Sequence, residues 1–178
     1  AIPNLNVFRP ADINETLECW QVALKSHNTP SAIALSRQKL PYINPSHTNE
    51  NKSELGAYIV NTTSQDNAVT LVASGSEVEL ALQAQNELKE VNIDSKVVSM
   101  PCQELFNQQS TSYRNEIIDE DVPVITIEAS SVSSWEKYSK NNMGIKTFGE
   151  SAPFKEVYNH FNLTSAKIVE LTKKLIKK

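Results

Sequence analysis

The chain has 178 residues, a length that suits one domain of ordinary size, or one domain plus a piece of another. With 39% hydrophobic and 21% charged residues it can fill a core, which excludes wholesale disorder, and 17 Lys and Arg against 21 Asp and Glu leave a net charge of −4, a poor basis for general nucleic-acid binding. No apolar run approaches the ~20 residues of a membrane helix, the opening AIPNLNVFRP has no signal-peptide pattern, and the two lone thiols, Cys19 and Cys102, point to a reducing, cytoplasmic compartment.

The first segment alternates strand and helix signals. Leu5, Val7 and Phe8 form a short apolar run closed by Arg9-Pro10. Asp12 is placed to cap a helix, with Glu15 in the capping-box position, and Ile13, Leu17, Trp20 and Leu24 then recur at helical spacing as one apolar stripe. The helix is expected to end near Ser26-His27-Asn28. After Pro30, residues Ser31 to Ser36 read as a short buried strand, with Arg37-Gln38 directly at its end. This is one parallel β-α-β crossover, and alone it cannot cover both faces of its strands. From Pro41 to Leu55 the composition turns polar and aperiodic, which reads as an exposed linker.

A second α/β pattern starts near Gly56. Strands are expected at Ala57 to Val60, Val69 to Ala73, Lys96 to Met100, Val122 to Ile127 and Ile145 to Phe148. Gly75 marks a turn, Ser76 and Glu79 read as a capping box, and Ala81, Ala84, Leu88 and Val91 repeat at helical spacing. Further helices are read at Gln103 to Phe106, Tyr113 to Ile118, Ser134 to Lys140 and Phe154 to Phe161. A last one is capped by Thr164, with Lys173, Lys174, Lys177 and Lys178 at its negative end.

Local motifs offer little chemistry. Gly75-Ser76-Glu77 has the shape of a phosphate-binding turn, but Glu77 and Glu79 place negative charge where the phosphate would sit, and no P-loop lysine follows. A capped structural helix is the better reading. The chain has only 4 Gly, too few for a diphosphate cradle. His27, His47 and His160 are scattered, neither cysteine has a neighbour at metal-ligand spacing, and no nucleophile motif occurs. Glu128 ends a strand, where ligand groups gather in α/β folds. The serines at 130, 131, 133 and 134 offer it hydrogen bonds, which favours a structural role. Arg37 also follows a strand. Its guanidinium can take a phosphate or carboxylate bidentately, or pair a neighbouring acid on the surface, and local spacing does not separate the two.

Taken together, RPADINE, PSAIALSRQKLP, GAYIV, VTLVASGSEVELALQAQNEL, KVVSMP, ITIEA, Trp135 with Lys137-Tyr138, and FGESAP resemble the transketolase family in order and from end to end. The resemblance implies an α/β fold: a three-layer C-terminal domain with a mixed, largely parallel sheet, preceded by a β-α-β remnant of a pyrimidine-binding domain. It divides the chain into 1–40 (that remnant), 41–55 (linker) and 56–178 (C-terminal domain). Family members transfer a two-carbon ketol unit from a ketose phosphate to an aldose phosphate. They use thiamine diphosphate and magnesium or calcium, as homodimers. The arginine of their SRQ motif helps bind the substrate phosphate, and this carries over to Arg37. The diphosphate and metal motif, the cofactor-activating glutamate and the substrate histidine would all precede Ala1, so no catalytic, cofactor or metal residue is expected in this chain. Neither Glu128 nor Glu150 is assigned a catalytic role. The implied partners are the remainder of the polypeptide, a second subunit and sugar phosphates. The alternatives are an autonomous dimerisation or regulatory module, or the same region of dihydroxyacetone synthase or deoxyxylulose phosphate synthase.

Overall fold

In the computed structural model, which describes residues 2–43 and 50–177, the chain builds two sheets. The first holds β1 (Asn6–Phe8) and β2 (Ser31–Ile33), paired in parallel and connected by α1 (Ile13–Lys25). Asp12 caps α1 by accepting the Glu15 N–H, and Glu15 reaches back to the Ala11 N–H, so the expected start signal is made.

The second sheet has five strands: β3 (Tyr58–Thr62), β4 (Val69–Ala73), β5 (Ser95–Ser99), β6 (Val124–Ser131) and β7 (Asn141–Ile145), in the order β3-β5-β4-β6-β7. Only β3 runs antiparallel, so the sheet is mixed and largely parallel. Strand β4 is buried along its whole length, the mark of a central strand covered on both faces. On one face lie α2 (Glu77–Glu90) and α6 (Ser165–Leu175), whose Val78, Ala81, Ala84, Leu88 and Ile168 pack on Leu71, Val97, Ile125 and Ile127. On the other, α3 (Gln103–Asn107) and α4 (Thr111–Ile117) bring Phe106 and Ile117 against Val72, Val98 and Trp135. The chain leaves β4 toward β5 through α2 and returns past β4 to β6 through α3 and α4. Successive crossovers therefore cover opposite faces, and three layers result. The remaining helix, α5 (Phe154–His160), precedes α6, which Thr164 caps as expected.

Several local expectations are corrected. The stripe of Ile13, Leu17, Trp20 and Leu24 faces outward, with exposures of 51, 54, 50 and 73%. The inward face of α1 carries Glu15, Cys19 and Val22. Strand β2 is three residues long and half-exposed instead of buried, because a two-stranded sheet covers it on one side only. The stretch 41–55 is not all exposed linker. Its end forms a 3-10 turn at Lys52–Leu55 that buries Ser53 against the Glu18 carboxylate, while 44–49 lie outside the described residues, as does Lys178. Ser76 makes no side-chain cap and Glu79 no capping box, since the Ser76 hydroxyl turns to Glu77 and Tyr158. Val91 is the C-cap of α2 and is exposed, not packed. No α-helix forms over 134–140: a 3-10 turn at Val132–Ser134 runs into a turn over 135–138. The Ser131 hydroxyl accepts the Ser133 N–H, and Ser139 bonds the Val124 carbonyl, so serines satisfy the backbone locally. The last strand falls four residues early, because Met143 is the residue that enters the core and Phe148 is 94% exposed.

Two glycines have positive φ and very different surroundings. At Gly56 (φ +81°) a Cβ would lie 2.2 Å from the Phe106 nitrogen and 2.5 Å from the Cys102 oxygen. At Gly75 (φ +56°) the nearest atom would be 3.6 Å away, on the Arg9 side chain. Gly75→Ala should therefore cost only the left-handed backbone term, about 1 kcal/mol, and Gly56→Ala about 3–5 kcal/mol, since overpacking against rigid backbone is added. Urea unfolding of the two variants measures the difference, and equal losses would contradict it.

Candidate functional site

In an open α/β sheet, ligands gather where crossovers diverge, outside the C-terminal ends of the strands. Here that point lies beyond β4 and β6, and a cleft of about 710 Å³ opens there, with Ser74, Glu128, Ser130 and Trp135 among its lining. Its inner wall is occupied by an arginine from the first segment. Arg9, one residue past β1, places its guanidinium 2.8 Å from Glu128 and 3.2 Å from Glu77. Both carboxylates are buried while the Arg9 side chain is 31% exposed. The Gly75 N–H donates to the Arg9 carbonyl (2.9 Å), and the Arg9 N–H to the Pro101 carbonyl (2.8 Å). The turn after β4 and the turn after β5 therefore both grip the residue that closes β1.

One cation against two buried acids leaves negative charge to be held by other donors. The Ser74 hydroxyl donates to Glu128 (2.6 Å), and the Ser76 hydroxyl to Glu77 (2.7 Å). The Tyr158 hydroxyl of α5 also donates to Glu77. Burial pushes the Glu128 carboxyl up, to about 7, and the neighbouring Glu77 pushes the same way; Arg9 and Ser74 pull it down. A helix N-terminus is an anion site in principle. At α2 the anion is already supplied, by Glu77. The Gly75-Ser76-Glu77 turn is therefore a built-in carboxylate site and does not fit a diphosphate.

A second buried carboxylate joins the segments further along. Glu15 accepts from the Ala11 N–H (2.7 Å), the Tyr58 hydroxyl (2.8 Å) and the Ser99 hydroxyl (2.5 Å). Burial outweighs these three donors and pushes its carboxyl up to about 7, with Asp12 acting in the same direction. Between the two nodes lies an apolar cluster of Phe8, Cys19, Val22 and Cys102. Burial also pushes both thiols up, Cys102 to about 12, so neither is a nucleophile at neutral pH.

Arg37 stands apart from this network. It lies on an exposed bend four residues beyond β2, and among the described residues it makes no salt bridge. Its loop continues through Gln38 and Leu40, which line a separate cleft of about 350 Å³ together with Ser76 and with Tyr158 of α5. Glu128 is buried within β6 instead of ending a strand, and Glu150 is exposed. His27 and His160 are exposed and far apart in the sequence, and His47 lies outside the described residues. Among the described residues no three His, Cys, Asp or Glu side chains gather as a metal site. Arg9 was missed as a site residue. The available signal was an arginine directly after a strand, the same signal that marks Arg37.

Comparison with known proteins follows this geometry. The family described as the transketolase-like C-terminal domain matches residues 56–164, and the transketolase pyrimidine-binding domain matches residues 1–43. A transketolase of Sinorhizobium medicae is 44% identical over 182 aligned positions, covering 100% of this chain and 26% of the relative. Transketolase from Leishmania mexicana has a similar structure (TM-score 0.90, 41% identity, 98% of this chain and 26% of that one). So does a transketolase of Pichia stipitis in complex with sedoheptulose 7-phosphate (TM-score 0.91, 34% identity, 99% and 26%). The chain thus spans about a quarter of the length of the relatives it matches.

Glu15 yields a pH prediction. A carboxyl whose folded pKa lies above its unfolded one supports the fold in its protonated form; that contribution is complete below the unfolded value, 4.5, and is lost as the pH rises through about 7. The chain should therefore lose about 2 kcal/mol of stability from this group between pH 5 and pH 8. Glu15→Gln, which keeps a neutral hydrogen-bonding head, should flatten that slope. Denaturant titrations at the two pH values test this, and identical slopes for the two proteins would reject it.

Proposed function

Because this chain belongs to the transketolase family, we propose that it acts as the C-terminal part of a transketolase, serving structure, subunit packing and one substrate-phosphate contact. In this reading residues 1–40 complete a pyrimidine-binding domain, 41–55 link it to the next, and 56–178 form the C-terminal domain. The parent reaction is transfer of a two-carbon ketol unit between sugar phosphates, in the pentose phosphate or Calvin pathway, by a cytoplasmic homodimer.

The observation that carries the substrate contact is Arg37. Its guanidinium lies on a bend beyond a parallel strand with no ion-pair partner among the described residues. A guanidinium left without an acid, in a chain that pairs Arg9 twice, is free to take a phosphate bidentately. The sedoheptulose 7-phosphate complex of the Pichia stipitis relative indicates the class of ligand.

Thiamine diphosphate and its magnesium or calcium ion are assigned to other parts of the polypeptide. The residues of the crevice beyond β4 and β6 do not fit them, for two carboxylates are already held there against one arginine. Catalysis by this chain alone is therefore not proposed.

The outward stripe on α1 supports the remainder of the polypeptide as a partner. Each of Ile13, Leu17, Trp20 and Leu24 leaves ~1–2 kcal/mol of burial unrealised. The same stripe favours a second reading, a module that dimerises on its own, since its 4-3-4 spacing is that of a helix-pairing seam.

Two measurements follow. Arg37→Ala in the full-length enzyme should raise the KM for phosphorylated substrates about 10- to 100-fold, the loss of a charge-assisted hydrogen-bond pair, with little change in kcat. An unchanged KM would remove the phosphate role. Light scattering after size-exclusion chromatography on this chain separates the two readings of α1. A monomer supports the missing-domain reading, whereas a dimer dissociated by Leu17→Lys establishes the autonomous module.

A further inference from the structure

The first segment is fastened to the five-stranded sheet at two points of opposite chemistry. At the end of β1, Arg9 meets Glu128 (2.8 Å) and Glu77 (3.2 Å), and its backbone bonds the Gly75 N–H and the Pro101 carbonyl. On α1, Glu15 meets no cation, for among the described residues no salt bridge reaches it. It is 2% exposed and accepts from Tyr58 on β3, from Ser99 on β5 and from the Ala11 N–H. The titratable groups around it are Asp12 at the helix cap, Cys19 on the same inward face and Tyr58 across the seam. From the α3 side come Cys102 and Glu104, bonded to each other (3.4 Å). Lys52 of the 3-10 turn lies over the Tyr58 ring, 5.6 Å from its centroid, and pairs with none of these acids.

A proton therefore acts in opposite directions at the two points. Arg9 is held best by ionised acids, whereas an ionised Glu15 is a buried charge answered only by neutral donors. Little else holds α1 down. Of residues 2–43, only Ala11 and the half-buried Ile43 join either core of the larger sheet. Helix α1 gives Cys19 and Val22 to the small cluster with Phe8 and Cys102, and its other face is exposed. We propose that the seam is a pH-responsive hinge: loss of the Glu15 proton lets α1 swing away from β3 and β5, while Arg9 keeps the end of β1 pinned. The pivot tightens as the helix loosens, because ionised Glu77 and Glu128 hold the guanidinium harder. The other bonds of α1 do not oppose the motion. Glu18 accepts from the Ser53 N–H (2.9 Å) and hydroxyl (2.8 Å), and Ser53 lies in the connecting turn Lys52–Leu55, which belongs to neither sheet and can follow the helix. What opens is the packing of Cys19 and Val22 on Phe8 and Cys102, so the Cys19 thiol reaches solvent.

The chain has two thiols, so alkylation with iodoacetamide and peptide mass mapping reads Cys19, on the moving helix, separately from Cys102. With reagent dilute enough that reclosing outpaces labelling, the rate divided by that of the urea-unfolded chain at the same pH gives an opening constant. For Cys19 that constant should rise roughly 30- to 100-fold from pH 5 to pH 8, beginning above the ordinary carboxyl value of 4.5 and levelling off beyond about 7. Glu15→Gln should flatten the rise. Hydrogen exchange on the same samples separates a hinge from unfolding. The β4 amides, and the Gly75 N–H that bonds the Arg9 carbonyl, should have opening constants at least ~10-fold smaller than that of Cys19 at each pH. Equal constants for Cys19 and β4 would mean that the whole chain unfolds, and equal constants for Cys19 and Gly75 that the first segment leaves with Arg9; either overturns the proposal. So does a rise that Glu15→Gln leaves unchanged, and so does a flat Cys19 series in the wild-type chain, which decides the matter even if the variant folds poorly.

Discussion

The structure depends on one guanidinium placed against two buried acids. Arg9 reaches Glu77 at the start of α2 and Glu128 inside β6, and its backbone is gripped by the turns after β4 and β5. Buried carboxylates are costly unless paired, and without the first segment both acids would keep only hydroxyl donors among the described residues. The constraint runs in both directions. A three-residue strand and one helix cannot make a core of their own, and β1 and β2 stay in place because Arg9, Glu15 and the Phe8 cluster bind them to the larger sheet. The two family segments in this chain thus behave as one packed unit at their junction, although the composition between them reads as a linker.

That difference shows what a sequence displays and what it hides. Strand β4 and the helices α2, α5 and α6 were legible because each rests on local information: an apolar run, a 3.6-residue period, a threonine cap. Strand order was not legible, since no local pattern states that β4 lies between β5 and β6. The Ser134 to Lys140 stretch was misread for the opposite reason. Its composition permits a helix, but Ser139 satisfies the Val124 carbonyl and Trp135 is drawn into the core, so tertiary contacts override local propensity.

The α1 stripe is a sharper case. Its period predicts the helix correctly and invites the inference that the stripe is the buried face. The structure buries the other face, where Glu15, Cys19 and Val22 lie, because the donors for Glu15 are on Tyr58 and Ser99. The helix is thus apolar on one face and carries a buried acid on the other, and among the described residues only the second face is buried. Periodicity alone cannot say which face meets which neighbour, and the same ambiguity explains why the stripe supports both a missing domain and a second copy.

Arg9 and Arg37 separate structure from function most clearly. Both follow parallel strands of the same small sheet, and nothing local in the sequence distinguishes their prospects. Their environments do. Arg9 meets Glu77 and Glu128, residues more than sixty positions away that the fold delivers to it. Among the described residues no carboxylate reaches Arg37. An arginine with its anions supplied by the protein is a fastener, whereas one presented by a bend and left without an anion is available to a ligand. The proposed role of Arg37 rests on that contrast.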